Sequence, residues 1–313
     1  MIRWFAALLL LAGVAHAEPT PVAQTRAEAI LVEALAYDHR DRLLISSVHA
    51  PGIYRLQRNG ALKRWSARGS TQGVFGIVAD PTRGDLWAAS SGTAHGGDPT
   101  AKPALIRFDL RNGRVRQIIP APEGAISFGD VALGPDGTVY VSDSGAGDVL
   151  RLRPGATTLE KVVALGGRGS PQGLAVSADA RTLVFVGYGS GLHRVDLATG
   201  VHTRIETPQG MELRGVDGVV RDDDDLILVQ NGIAPPRVLR LELNDDWSTV
   251  ERLDVLVRDG GMQEPTGGVV RDGAFVFVSR SQWTDFDGEG KLKTPSPAPA
   301  VISRLALASP AAP

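Results

Sequence analysis

Four side chains with oxygen donors stand at comparable points of this 313-residue chain, each opening a short apolar run. Glu33 precedes Ala34 to Tyr37, Asp130 precedes Val131-Ala132-Leu133, Gln172 precedes Leu174-Ala175-Val176, and Asp217 precedes Val219-Val220. Two further runs have Phe75-Gly76 and Pro265-Thr266 at the matching point, and none has Lys or Arg there. If these points converge, carboxylates crowded without a cation raise one another's pKa or recruit a positive ion. Glu33, Gln172 and Asp217 form an oxygen-only set that suits a hard divalent ion such as calcium. Asp before Gly or at a strand end also caps turns. The residues alone leave both readings of Asp130 and Asp217 open.

Other chemistries lack their signatures. There is no GxSxG nucleophile elbow, no HExxH and no cysteine. His49 and His95 fall in loops after the second strands of units one and two, where they read first as surface histidines, with a channel-mouth role as the alternative. Gly187-Tyr188-Gly189-Ser190-Gly191 is glycine-rich but joins two predicted strands, with no helix N-terminus to hold phosphate, and reads as a connecting turn. The acidic run Asp222 to Asp225 lacks the spaced ligands and glycine of a calcium loop and reads as a solvated hairpin.

What must position the four donors is a repeat. Phe128 to Pro154 contains one complete unit: the strand Val131 to Leu133, the turn Pro135-Asp136-Gly137, the strand Val139 to Val141, and the strand Asp148 to Leu152 with Arg151 between leucines. The pattern recurs six times, with a third-strand arginine in each unit: Arg55, Arg107, Arg151, Arg194, Arg240 and Arg304. Short strands with Pro/Asp/Gly turns at this spacing predict an all-β, six-bladed β-propeller whose innermost strands line a central channel. A site is not built six times over, so the arginines read as structural. The sixth unit lacks an outer strand, and the lone run Ala27 to Val32 is expected to supply it and close the ring.

Met1-Ile2-Arg3, the apolar run Trp4 to Ala15 and Ala15-His16-Ala17 read as a signal peptide over residues 1–17, leaving a propeller domain over 18–313. The run is too short to span a bilayer, so a periplasmic or secreted protein with no membrane span after cleavage is expected. The formal net charge of −2 gives no basic excess with which to displace counterions from a nucleic acid, so nucleic acid is excluded as a partner.

The residues quoted so far resemble the regucalcin/gluconolactonase family of six-bladed propellers, whose superfamily also takes in strictosidine-synthase-like proteins. Val32-Glu33-Ala34-Leu35 keeps the glutamate of the family's opening Glu-Gly-Pro, and Val216-Asp217-Gly218 keeps its Asp-Gly. Ser170-Pro171-Gln172-Gly173 has glutamine in place of the family's asparagine, and Gly129-Asp130 keeps only the aspartate of an Asn-Asp pair that contacts substrate. The resemblance implies metal ligation by Glu33, Asp217 and the amide of Gln172. It also implies that Asp217 doubles as catalytic base and that Asp130 binds substrate. Leu228 to Gly232 with Pro236-Arg237-Val238, and Glu264 to Gly267 followed by Ser281-Gln282-Trp283, resemble an exported bacterial branch of the superfamily. Asn231, Gln282 and Trp283 are therefore read as substrate contacts, with turn roles as the alternative.

The expectation is a metal-dependent hydrolase of a lactone or related ester, with a small-molecule ligand in the channel. The alternative is a non-catalytic propeller that binds a small ligand or a protein partner.

Overall fold

The computed structural model describes residues 18–166, 169–208 and 210–307. The expected leader over 1–17 lies outside the described residues. In chain order, β1 (Thr20–Gln24) precedes blade 1, which comprises β2 (Leu35–Tyr37), β3 (Leu43–Ser47), β4 (Gly52–Leu56) and β5 (Leu62–Arg64). Blade 2 is β6 (Gly73–Asp80), β7 (Asp85–Ser91), β8 (Ala104–Asp109) and β9 (Val115–Pro120). Blade 3 is β10 (Phe128–Leu133), β11 (Val139–Asp143), β12 (Asp148–Leu152) and β13 (Glu160–Ala164). Blade 4 is β14 (Pro171–Val176), β15 (Thr182–Gly187), β16 (Gly191–Asp196) and β17 (His202–Arg204). Blade 5 is β18 (Val216–Asp222), β19 (Asp225–Gln230), β20 (Arg237–Leu243) and β21 (Val250–Arg258). Blade 6 takes β22 (Gly268–Arg271), β23 (Ala274–Arg280) and β24 (Val301–Ala306), and its fourth strand is β1. The six-bladed propeller read from the repeat is the fold, and an N-terminal strand closes it.

The second strands β7, β11 and β15 are buried at every residue, as expected of strands covered on both faces. Their apolar side chains form cores between blades, not within them. One cluster joins Val184 and Leu192 of blade 4 to Val219 and Leu228 of blade 5, and another joins Val276 and Ile302 of blade 6 to Leu35 and Ile45 of blade 1. Each blade is thus a sheet that cannot bury its faces alone, which is why the repeat must close into a ring. At the hairpin of blade 3, Gly137 adopts φ 89° and Asp136 Oδ1 accepts the Thr138 N–H at 2.9 Å, the chemistry the Pro-Asp-Gly turn predicts.

The repeated arginines are structural. Arg55 pairs with Asp38 at 3.0 Å, Arg107 with Asp85 at 2.6 Å, Arg151 with Glu160 at 3.0 Å, and Arg240 with Asp225 at 3.1 Å as well as with Asp222. The acidic hairpin is therefore half tied to Arg240 and half solvated.

The closing strand is not the expected one. Thr20 to Gln24 pairs antiparallel with β24, with Thr20 opposite Arg304 and Gln24 opposite Val301. Ala27 to Val32 forms no strand. Leu31 has φ 49°, which breaks an extended run, and its N–H and that of Ile30 go to the side-chain oxygen of Gln282 at 2.9 and 3.0 Å. The segment's end, Ile30 to Val32, is a buried wedge between blades 6 and 1, and the true outer strand is exposed at four of its five residues.

Candidate functional site

Four of the six inner strands, β6, β10, β14 and β18, meet the channel mouth through an irregularity at the same place. Strand register shifts between Val74 and Ile77, Phe128 and Val131, Pro171 and Leu174, and Val216 and Gly218. A bulge re-aims the side chains that it contains, and these bulges contain Phe75-Gly76, Gly129-Asp130, Gln172-Gly173 and Asp217. In blade 1, the N–H of Ala34 goes to Ser46 Oγ at 2.9 Å; in blade 3, the N–H of Asp130 goes to Ser142 Oγ at 2.8 Å. Asp130 is thus the counterpart of Ala34, one residue deeper than Glu33, Gln172 and Asp217. The other blades have glycine at that deeper level: Gly76, Gly173, Gly218 and Gly267. A Cβ on Gly76 would stand 2.5 Å from Asp130 Oδ1, and one on Gly173 would stand 2.5 Å from the Val219 nitrogen. At this waist only Asp130 carries a side chain longer than the Ala34 methyl.

Above the waist lies a cavity of about 520 Å³ lined by Glu33, Asp130, Gln172, Asp217, Asn231 and Trp283, among others. The structure brings these six predicted residues together. It does not bring Gln282, which is fully buried and has both ends of its amide engaged. Gln282 Oε1 accepts from Ile30 and Leu31, and its Nε2 donates to the carbonyls of Glu28 at 3.0 Å and Ala298 at 2.7 Å. The substrate contact expected of Gln282 is therefore replaced by a structural role, pinning the wedge to the long connection between β23 and β24.

The polar residues are individually oriented. Trp283 Nε1 donates to Glu33 Oε1. Asn231 Nδ2 donates to Asp217 Oδ2 at 2.8 Å and to the Pro265 carbonyl at 3.0 Å, while Tyr188 donates its hydroxyl to Asn231 Oδ1 at 3.1 Å. Gln172 Nε2 donates to Ser170 Oγ at 3.0 Å. Its Oε1 lies 3.9 Å from where a Cβ on Gly129 would stand, so the longer amide reaches toward the space that glycine leaves open.

Among the described residues no Lys or Arg lines the cavity, and the electrostatics follow. Burial pushes Glu33 well above the usual carboxylate range, with Asp217, Asp130 and Glu264 adding to the rise and the Trp283 hydrogen bond opposing it. Asp130 rises to about 7 through burial and the charge of Asp217, against the N–H of Val131. Asp217 rises to about 6 through burial and Glu264, with the Asn231 hydrogen bond opposing.

Several lining residues were missed from the sequence. Tyr188 sits in what read as a plain turn. Glu264 opens an irregular stretch before β22. Phe286 and Asp287 belong to the connection between β23 and β24, which begins with a 3₁₀ turn at Trp283–Asp285. His95, read as a surface residue, lines the cavity and holds that connection through its Nε2, 3.0 Å from the Asp287 carbonyl. The length of chain between Arg280 and Val301 was the available signal, because it far exceeds a hairpin turn.

The residues fit a hard cation in their chemistry. Glu33 and Asp217 each have one carboxylate oxygen tied to a neighbouring donor and one that receives no side-chain or backbone hydrogen bond from the described residues. Gln172 likewise has its nitrogen tied and its oxygen so left. Among the described residues, no three His, Cys, Asp or Glu side chains converge on one point, so an ion here rests on two carboxylates and an amide.

Fold and cavity together define a six-bladed propeller with an acidic, aromatic-rimmed chamber at one end of its channel. The fold is shared with a gluconolactonase from Xanthomonas campestris, at 15% identity and TM-score 0.61 over 92% of this chain and 96% of that one. It is also shared with the allergen Mala s 1 of Malassezia sympodialis, at 14% identity and TM-score 0.69 over 90% of this chain and 95% of that one. An aldose sugar dehydrogenase from Streptomyces coelicolor, in its PQQ-bound form, matches at 13% identity and TM-score 0.59 over 94% of this chain and 99% of that one. The resemblance to gluconolactonase-like propellers thus holds for the fold. No protein-family model and no curated protein matches the sequence.

Proposed function

We propose that the chamber is the active site of an exported hydrolase acting on a lactone or related ester, with a divalent cation, calcium by its donor set, held by Glu33, Asp217 and Gln172. The observation that carries this reading is the pairing of Glu33 and Asp217 in a cavity that no Lys or Arg of the described residues lines, each fixed by its own hydrogen-bond donor. When bound, a divalent ion supplies Lewis acidity toward a carbonyl oxygen and acidifies water. Asp217, in its ionised form, takes the proton from the attacking water. The water oxygen bonds to the carbonyl carbon, the acyl C–O bond breaks, and the proton passes to the leaving oxygen. A lactone so opened becomes a hydroxy acid. Asp130, at about 7, holds a proton near neutrality and donates a hydrogen bond to the substrate from the waist. Asn231 is a positioning residue that fixes which oxygen of Asp217 is free.

One observation favours a non-catalytic binding propeller: among the described residues, no three acidic or histidine side chains converge. Calorimetric titration of chelator-stripped protein with calcium, beside Asp217→Asn, separates the two. A single site lost in the variant, followed by turnover in a lactone and ester screen, supports hydrolysis. Absence of binding to either protein rejects the metal and leaves the binding reading.

A further inference from the structure

The cavity lining carries a charge imbalance that one divalent ion does not remove. Glu33, Asp130, Asp217, Glu264 and Asp287 all line it, and among the described residues no Lys or Arg does. An ion on Glu33 and Asp217 leaves Glu264 out, because no three such side chains of the described residues come close enough to share one ion. Glu264 Oε2 is buried and has no hydrogen-bond partner. The charge of Lys293, which is not in the lining and donates its Nζ to the Thr284 carbonyl at 3.0 Å, acts on Glu264, and the carboxylate also accepts the Thr284 N–H. A buried carboxylate oxygen without a partner is costly and gains most from a cation brought to it.

The same corner holds an aromatic ring. Ser281 Oγ donates to the Glu264 carbonyl at 2.7 Å and accepts from the Trp283 N–H at 3.4 Å, which sets the two residues side by side. The indole is fixed, with its N–H on Glu33 and the His95 ring packed at 4.8 Å between centroids. Phe75, Tyr188 and Phe286 add further aromatic surface to the lining. Aromatic faces offer no lone pairs to a small hydrated metal ion, but they attract an ammonium group, whose charge is spread over carbon.

We propose that the substrate of this chamber, read as above as a hydrolytic site, carries an ammonium group held between the Glu264 carboxylate and the Trp283 ring. A quaternary or protonated amine at one end of the molecule would place its ester or lactone carbonyl at Glu33 and Asp217.

The test compares two esters of the same shape, 2-(trimethylammonio)ethyl acetate and uncharged 3,3-dimethylbutyl acetate, on the full chain with calcium. In parallel, the melting temperature is followed in tetramethylammonium chloride against sodium chloride at equal ionic strength. The expected result is a kcat/KM about tenfold higher for the charged ester, the size of a desolvated cation–aromatic contact. That ratio should collapse toward one in Glu264→Gln, and tetramethylammonium should raise the melting temperature where sodium does not. Equal turnover of both esters, with no difference between the salts, overturns the ammonium site and leaves hydrolysis standing. No turnover of either ester, with tetramethylammonium still stabilising the protein, overturns hydrolysis and keeps the ammonium site. No turnover and no stabilisation overturns both. The comparison of salts on the unmutated protein does not depend on whether the variant folds.

Discussion

The two faces of the propeller treat the same kind of side chain in opposite ways. At the hairpin face, Asp38 is buried beneath Arg42 and Arg55, at 2.8 and 3.0 Å. At the channel mouth, Asp217 and Asp130 are desolvated, and among the described residues no arginine or lysine lines their cavity. Burial is the largest influence on all three, and in each it acts upward. Yet Asp38 ends below its ordinary value, because hydrogen bonds from Arg42 and the local backbone outweigh burial, whereas Asp217 and Asp130 end near 6 and 7. The partner a desolvated carboxylate finds separates a rivet from a reactive group.

The contrast breaks most visibly in turnover. Asp217→Asn should lower kcat/KM on any ester or lactone substrate by about a thousandfold, while Asp222→Asn, whose native carboxylate serves Arg240, should leave it within about twofold of the wild type. Equal losses in steady-state kinetics would erase the distinction between the two faces.

In stability the order reverses. Asp38→Ala strands Arg55 and should cost about 3 kcal/mol in denaturant unfolding, with calcium binding in the channel unchanged. A smaller effect separates bound from free protein: calcium at about a hundred times its dissociation constant should stabilise the wild type by about 2.7 kcal/mol, and Asp217→Asn not at all. Thermal unfolding with and without a chelator measures this.

The smallest effect sharpens the comparison through its sign. The raised pKa of Asp130 means that the folded state binds the proton more tightly than the unfolded one. Its contribution to stability is full below the ordinary value of 3.8 and is lost as pH rises toward about 7. Asp38, lowered in the fold, contributes above its ordinary value and loses that contribution as pH falls. Asp130→Asn should therefore flatten the decline in melting temperature between about pH 5 and about pH 8, and Asp38→Asn should act only on the acid side.

The repeat made the blades legible, because apolar alternation and Pro/Asp/Gly turns are local signals. The closing strand was not, since Thr20 to Gln24 is almost wholly exposed and carries no core-facing pattern. Ala27 to Val32 carries an apolar pattern for a different reason, its end being a wedge. Glu33, Asp130, Gln172 and Asp217 were found by their common place in the repeat. The extra depth of Asp130 was hidden, because bulges shift register without leaving a mark in composition. Glu264 and Tyr188 lie in irregular connections, where the repeat makes no statement. Gln282 was misplaced because neighbouring Trp283 does reach the cavity, and only the backbone turn between them separates wall from interior.

The pairing of Thr20 with Arg304 also sets an order of assembly. Blades 1 to 5 can each form from a contiguous stretch of chain, but blade 6 stays one strand short until the first and last strands meet. That contact spans nearly the whole sequence and carries the greatest loop-closure entropy of any strand pairing, so the circle is completed last. A permuted chain with new ends in an outer hairpin and the old ones joined would turn this final latch into a local hairpin, and should refold faster to the same propeller.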